Sequence, residues 1–168
     1  LDSQLPHAAI ELQASGRGIR TEALTGTLRV ENAAPGPIDR ESVPVRAAQG
    51  RFRLDAGSLR IDELEADLGP AGRASGSLSV SETGVEISAV IRDLDARSLH
   101  SRLRSTRLQG NARVVLGDGT QHAGLHLTQG SIRLDADLSR RDGLLMVERL
   151  RASVGAATLE ARGQLRLD

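Results

Sequence analysis

The sequence predicts an all-β fold, an elongated and curved sheet that forms an open groove with an aliphatic interior. Three observations support this prediction. Apolar and polar residues alternate along most of the chain, which puts the apolar side chains on one face of each strand. Turn signals rich in glycine recur at roughly ten-residue spacing, as in all-β chains. No segment offers a helix long enough to cover the apolar face of a sheet. A closed β-sandwich or a β-helix is the alternative.

The strands share a five-residue motif, in which a glycine is followed by alternating polar and apolar residues. The glycine supplies a turn or bend at the start of each strand. The motif occurs at 26–30, 50–54, 57–61, 76–80, 130–134 and 163–167, with a weaker copy at 110–114. A further strand alternates over 85–91. From these strands we select the candidate residues that would line the groove: Leu28, Val30, Phe52, Leu54, Leu59, Ile61, Leu78, Val80, Ile87, Ile132, Leu134, Leu165 and Leu167.

Three segments between the strands are less regular. Residues 1–25 alternate only weakly. Residues 32–49 contain several prolines and are predicted to form a loop. Residues 93–108 place leucines at mixed spacing, which indicates a short helix or an irregular crossover. Glycine-rich turns are expected at 69–72 and 141–143.

The chain also contains a longer repeat, with possible sub-repeats at 50–91 and 130–168. In both copies the alternation slips by one residue at a charged pair, Asp62–Glu63 in the first and Glu148–Arg149 in the second. A slip would turn the following apolar residues to the other face unless the chain turns a corner or bulges there. We therefore predict a tight corner at both places. Because the chain begins with leucine and stops within a strand pattern, we expect residues 1–168 to be a single β-rich fragment of a longer protein.

The composition argues against several classes of function. The arginines number 22 and lysine is absent, and 22 Asp and Glu residues balance them to a net charge of zero. Strong electrostatic binding of nucleic acid is therefore not expected. Without cysteine there is no disulfide framework and no thiolate zinc site. Phe52 is the only aromatic residue, which argues against surfaces that stack bases or sugars. No apolar run is long enough for a membrane-spanning helix.

Two pairs of polar residues could in principle carry chemistry. His122 and His126 lie four residues apart in a strand pattern, so they share one face, but they supply two metal ligands at most. We interpret them as surface histidines. Asp93 and Asp95 could act as paired carboxylates, although two aspartates in a crossover need no catalytic role.

The remaining polar residues are explained by local structure. Asp118 lies in a Gly-Asp-Gly turn and Asp142 precedes glycine, so both are typical of hairpin turns. No serine lies in a nucleophile elbow, and no phosphate-binding glycine loop is present. The alternating arginines and acidic residues are most simply cross-strand ion pairs on a solvated face. We expect no enzyme activity, no catalytic residue, no metal site and no cofactor.

The aliphatic residues then need something to cover them, and two interpretations stay open. In a closed sandwich or β-helix they would pack against one another. In an open groove they would meet a ligand without a shape of its own, such as acyl chains. Burial of each methylene is worth about 0.8 kcal/mol, so an aliphatic trough could hold a lipid tail without specific polar contacts.

Two stretches carry a family pattern made of aliphatic residues and glycines. One runs from 142–144 through 163–167, and the other runs from 91–95 into 108–110. Through these stretches the chain resembles the TamB and AsmA-like family of bacterial envelope proteins. It looks most like the C-terminal, β-rich periplasmic region of a TamB-type translocation and assembly module protein. The likeness extends over nearly the whole chain and is firmer from residue 50 onward.

The resemblance implies a fold, a location and partners. Such proteins form a long β-groove, or β-taco, in the periplasm of Gram-negative bacteria, and an N-terminal helix anchors the parent protein in the inner membrane. They are linked to phospholipid transport between the two membranes. They are also linked to outer-membrane protein assembly with a TamA-type outer-membrane barrel protein. The family pattern carries no catalytic residue, and the aliphatic strand positions correspond to the lining of the groove.

Two other functions remain open from the sequence. The chain could be a chaperone or assembly factor, whose sheet edges pair with strands of nascent outer-membrane proteins. It could also be a passive adhesin-type β-solenoid, with a closed, dry interior that binds no lipid.

Overall fold

The computed structural model describes residues 10–17, 23–117 and 119–166, and these residues confirm the all-β prediction. The strands are β1 (Ile10–Arg17), β2 (Ala23–Asn32), β3 (Ala47–Asp55), β4 (Ser58–Asp67), β5 (Arg73–Ser81), β6 (Gly84–Leu94), β7 (Leu108–Gly117), β8 (Thr120–Gln129), β9 (Ile132–Arg141), β10 (Leu144–Val154) and β11 (Ala157–Arg166). Two 3-10 turns and one helix complete the described elements: Ile38–Arg40, Gly69–Ala71 and α1 (Ala96–Leu99).

The irregular segments predicted from the sequence are found close to where they were expected. Weak alternation near the N-terminus corresponds to β1. The proline-containing loop occupies 33–46, because β2 and β3 take the ends of the predicted segment. The predicted short helix is α1, four residues long, within the crossover from β6 to β7. None of the helices in the described ranges has the length and apolar character that crossing a bilayer requires.

All eleven strands belong to one antiparallel sheet, and their order in the sheet is their order in the sequence. Strands β1 and β11 lie at its two edges, so the sheet is open. The alternative of a closed β-sandwich or β-helix is wrong for the described residues, because no second sheet packs on the first. The chain exposes 12294 Å² of surface, whereas a compact monomer of this mass would expose about 8,000 Å².

The register places nearly all candidate lining residues on one side of this sheet, which we call the aliphatic face. Leu78, for example, is opposite Ile61 on β4 and Ile87 on β6. Twelve of the thirteen candidates lie on this face by the same cross-strand pairing. Leu167 lies outside the described residues. The same face of the sheet therefore stays apolar from β2 to β11.

Register shifts explain the two phase slips. In β4 the pairing with β5 shifts between Ile61 and Leu64, and in β10 the pairing with β11 shifts between Val147 and Leu150. Extra residues at these β-bulges return the next leucine to the aliphatic face. The predicted tight corners are in this respect wrong, because both strands continue through the bulge. A third shift, between Ile91 and Leu94 of β6, was not predicted.

The two bulges of the repeat fall in the same row of the sheet. Successive cross-strand partners connect Ile61 to Val147 through β5 to β9 without a break. Gly76 is opposite the residue that ends the first bulge, Leu64. A Cβ atom at Gly76 would come within 1.9 Å of the Ser88 carbonyl oxygen, so only glycine fits there. The repeated sequence thus places a β-bulge in two distant strands, β4 and β10, in the same row of the sheet.

The connections make the two long rims of the sheet different. Along one rim, short turns such as 56–57, 82–83 and 142–143 join the strands, and we call it the hairpin rim. Along the other rim, which we call the loop rim, the first three described connections are long: 33–46, 68–72 and 95–107.

The loop rim holds the buried core. Leu94, Leu108 and Leu127 are buried together on the aliphatic face, and Leu68 and Leu99 from the loop-rim connections pack against them. Because Leu99 belongs to α1, the helix and the Gly69–Ala71 turn cover this strip of the sheet.

Candidate functional site

The aliphatic face is the candidate site, because it is apolar and only partly covered. Among the described residues only five apolar side chains are buried, and four of them are Leu94, Leu108, Leu127 and Ile61. Most others on this face are half-buried. A closed core would bury its leucines almost completely. Most aliphatic side chains on this face therefore remain partly exposed.

Side-chain size varies across the face in an ordered way. One row of cross-strand partners carries mainly large residues: Phe52, Ile61, Leu78, Ile87, Val114, Ala123, Leu138 and Val147. The next row toward the loop rim is small over β5, β6 and β7, where it consists of Gly76, Ala89 and Ala112. Over these three strands the side chains of this row are therefore smaller than those of the large row beside it.

The aliphatic face has room for extended hydrocarbon. Neighbouring strands lie about 4.8 Å apart, so the ten strands from β2 to β11 extend over about 43 Å. This length runs across the strands, in the direction of the rows of cross-strand partners. It exceeds the length of a single extended acyl chain.

The opposite face is polar and carries the predicted ion pairs. Arg113 lies 2.8 Å from Glu86 on the neighbouring strand, and Arg149 lies 2.8 Å from Asp137. Their side chains are largely exposed, so each pair contributes little to stability. The sheet therefore separates an apolar side from a solvated, charged side.

His122 and His126 lie on this polar face, as the spacing predicts. His122 is opposite Ser139, and His126 is opposite Asp135, which hydrogen-bonds to its Nδ1 atom. Within the described ranges no cluster of three or more His, Cys, Asp or Glu residues is placed to hold a metal ion. His126 and Asp135 are best described as a cross-strand pair.

Asp93 and Asp95 do not form a carboxylate pair. Asp93 is exposed in the third bulge, where it adopts a positive φ of 54°. Asp95 precedes α1 and accepts hydrogen bonds from the backbone N–H groups of Arg97 (3.1 Å) and Thr106 (3.0 Å). Partial burial acts to raise the pKa of Asp95, but these hydrogen bonds outweigh it and leave the pKa below its usual value. Asp95 is therefore an ionised cap of α1.

The predicted hairpin at Asp142 is confirmed, because Asp142 and Gly143 join β9 to β10 with φ angles of 50° and 75°. Two successive positive φ angles are typical of a type I′ turn. Asp118 lies outside the described residues.

A cavity of about 1050 Å³, not predicted from the sequence, lies against β2 to β5 and is lined mostly by polar-face residues. Arg53 and Arg60 are directly opposite each other there, between Thr25 and Ser79. Arg53 and Arg60 each lie between apolar residues on either side of the hairpin at 56–57, and this sequence pattern could have indicated the cavity. Arginine and acidic residues line this cavity in equal number. It therefore has no net charge that would select a ligand.

Comparison with known proteins adds no relative. A scan against models of protein families, a search of curated proteins and a search of solved structures each return no match to this chain.

Proposed function

We propose that the aliphatic face shields lipid acyl chains from water, so that the chain acts as part of a non-enzymatic conduit. The observation that supports this most is the separation of the two faces of one open sheet. Aliphatic residues of ten strands lie on one side, half-buried or exposed, and among the residues that the structure describes no second layer covers them outside the loop rim. A contiguous exposed apolar surface in a water-soluble domain is typical of an interaction site.

The energetics favour a hydrocarbon ligand. Each buried methylene contributes about 0.8 kcal/mol, so a chain of ten methylenes would gain about 8 kcal/mol before the cost of ordering it. Leucine, valine and alanine offer no directional contacts, so the face would tolerate acyl chains of different length. Movement along the rows of the sheet then breaks no specific hydrogen bond.

The wider function follows the resemblance noted in the sequence. We propose that the parent protein lies in the periplasm, anchored in the inner membrane. There it would support phospholipid transport to the outer membrane, and outer-membrane protein assembly with a TamA-type barrel protein. Its ligands would be phospholipid acyl chains, and it would bind no nucleic acid.

Photo-crosslinking tests the ligand directly. A photoreactive amino acid at Leu78 or Ile87 should capture phospholipid in Gram-negative cells that express the chain. The same amino acid at Val90 or Val115 is the matched control, because these two aliphatic residues lie on the polar face of neighbouring strands. Absence of lipid at all four positions, or equal capture on both faces, would contradict the proposal.

A matched pair of substitutions tests transport. Leu78→Arg places a charge on the aliphatic face, whereas Ser79→Arg places it one residue away on the polar face of the same strand. We expect Leu78→Arg to stop lipid transfer between vesicles while the folded chain persists, and Ser79→Arg to leave transfer unchanged. Circular dichroism of both variants separates lost transfer from lost folding.

A second candidate, the chaperone or assembly factor, is favoured by β11. This strand is the last of the sheet, and all ten of its residues are exposed. Within the described residues its outer edge pairs with no further strand, and such an edge could pair with a nascent outer-membrane strand. Proline substitutions along β11 should block such pairing but spare lipid transfer, which distinguishes this candidate from the first.

A further inference from the structure

We propose that the loop rim contains a subsite for a phosphate-like oxyanion, built around Arg40 and Arg97. The inference rests on the proposed function, because the subsite adjoins the aliphatic face and would hold the headgroup of a lipid whose tail lies there.

The subsite is a cavity of about 530 Å³, which is within the usual size range of small-molecule sites. It forms where loop 33–46 meets the Gly69–Ala71 turn and α1. Four prolines contribute to its wall: Pro35, Pro37, Pro44 and Pro70. Their rings restrict the backbone on both sides, so the cavity does not depend on flexible segments.

Hydrogen bonds between distant parts of the chain hold the two sides of the cavity together. Asp39, beside Arg40, accepts a hydrogen bond from the backbone N–H of Ser101 (2.9 Å) and another from the Ser101 hydroxyl. His100 Nδ1 is 3.9 Å from the same carboxylate. This contact fixes the loop that carries Arg40 to the crossover that carries Arg97.

The carboxylate that lines the cavity has hydrogen-bond partners, whereas the two arginines that line it form no ion pair within the described residues. Asp95 is the only carboxylate in its lining, and it is occupied by Arg97 N–H, Thr106 N–H and the Ser98 hydroxyl (3.3 Å). The guanidinium groups of Arg40 and Arg97 form no ion pair with any described residue. The lining itself contains two cations and one anion, and the nearby Asp39 carboxylate is held by Ser101. Arginine is the side chain best suited to phosphate oxygens, since it donates two parallel hydrogen bonds.

Leu68 connects the cavity to the apolar surface. It lines the cavity and also packs against the buried cluster of Leu94, Leu108 and Leu127 on the aliphatic face. A headgroup held between the two arginines would therefore lie beside the covered end of the aliphatic face.

Three soluble probes test the subsite by isothermal titration calorimetry: dihexanoyl phosphatidic acid, uncharged dihexanoylglycerol, and inorganic phosphate. We expect the double variant Arg40→Gln/Arg97→Gln to lose about tenfold in affinity for phosphatidic acid, because charge-assisted hydrogen bonds are lost. Its affinity for dihexanoylglycerol should not change. Arg102→Gln/Arg104→Gln is the control, because these exposed arginines lie on the same crossover outside the cavity lining.

Equal affinity of the double variant and the parent chain for phosphatidic acid would overturn the subsite. So would an equal loss in the control variant, which would reveal general attraction to positive charge. If inorganic phosphate binds as tightly as phosphatidic acid and needs both arginines, the oxyanion site is supported and its ligand is free phosphate rather than a lipid headgroup. If neither lipid binds but phosphate does, the proposed function fails while the subsite survives.

Discussion

Leucines on the aliphatic face differ in exposure between the two rims of the sheet. Near the loop rim, Leu108 and Leu127 are 6% and 2% exposed. Near the hairpin rim, Leu116 of the same β7 strand and Leu54 are 37% and 40% exposed. Leu108 and Leu116 share one strand and one face, so the connections account for the difference between them. Long loops fold back and cover the strip beside them, whereas short turns leave the face open, as at Val154 (59% exposed) where the loop rim has only a short turn. The long connections thus provide stability, and the rest of the face provides the accessible surface.

The largest expected effect compares leucines of these two rims. Leu127→Ala should lower the free energy of unfolding by about 2–5 kcal/mol, because it leaves a cavity in the buried cluster. Leu116→Ala should cost less than about 1 kcal/mol, since the side chain is already partly in water. Urea denaturation measures both. Equal losses in the free energy of unfolding would mean that the leucines of the loop rim contribute no more to stability than those of the rest of the face.

A smaller effect is expected at the cap of the crossover. Asp95→Ala removes the acceptor of several hydrogen bonds at the loop rim and should cost about 1–2 kcal/mol. Asp62→Ala is the control, because Asp62 is exposed in the β4 bulge. Denaturation of both variants, with hydrogen exchange of residues 95–107, checks the result. Destabilisation by the control to the same extent would remove the role assigned to Asp95.

Acid should loosen the loop rim before the hairpin rim. The Ser101 hydroxyl, ahead of the Ser101 N–H, lowers the pKa of Asp39, and the Gly69 N–H lowers the pKa of Asp67. The pKa of Asp95 is lowered as well. A carboxylate with a lowered pKa stabilises the fold above the pKa of the unfolded chain, and this contribution is lost as pH falls through the folded value.

Amide hydrogen exchange at decreasing pH tests this ordering. Protection of 33–46, 68–72 and 95–107 should fall below the ordinary pKa of an aspartate, while the hairpins at 82–83 and 142–143 stay protected. A uniform loss over both rims would show that these three carboxylates do not govern the acid response.

The smallest effect concerns the surface ion pairs of the polar face. Glu160→Gln removes the partner of Arg151, which lies 3.3 Å away on the neighbouring strand. Both side chains are largely exposed, so the free energy of unfolding should change by less than about 0.5 kcal/mol. A loss above 1 kcal/mol in thermal unfolding would mean that the polar face contributes to the core, contrary to the separation of the two faces.

Alternation made most of the strand faces predictable from the sequence. Twelve of the thirteen candidate residues share one face, because a period of two fixes the face of each side chain once the pairing is in phase. The bulges were detectable for the same reason, since each replaces the alternation by two charged residues before a leucine. Ile91 to Leu94 follows this pattern too, and comparison with 61–64 and 147–150 would have found it.

The loop rim was not predictable, because it depends on contacts between segments distant in sequence. Nothing local indicates that Asp39 accepts hydrogen bonds from Ser101, or that Leu68 and Leu99 pack against the buried cluster. The environment of Arg40 and Arg97 could likewise not be predicted, since it arises only when the two loops meet. Local patterns give the strands and their faces, and tertiary contacts decide which strip of the sheet is covered.

The most direct test of the account asks which side of the sheet meets hydrocarbon. A stearate with a nitroxide at its chain terminus is added to methyl-labelled protein, and signal broadening is measured by NMR. The methyl groups of Leu78, Ile87 and Leu138 should broaden strongly, whereas those of Val90 and Val115 on the polar face should keep their intensity. Equal broadening on both faces, or none on the aliphatic face, would contradict the proposal that this surface receives acyl chains.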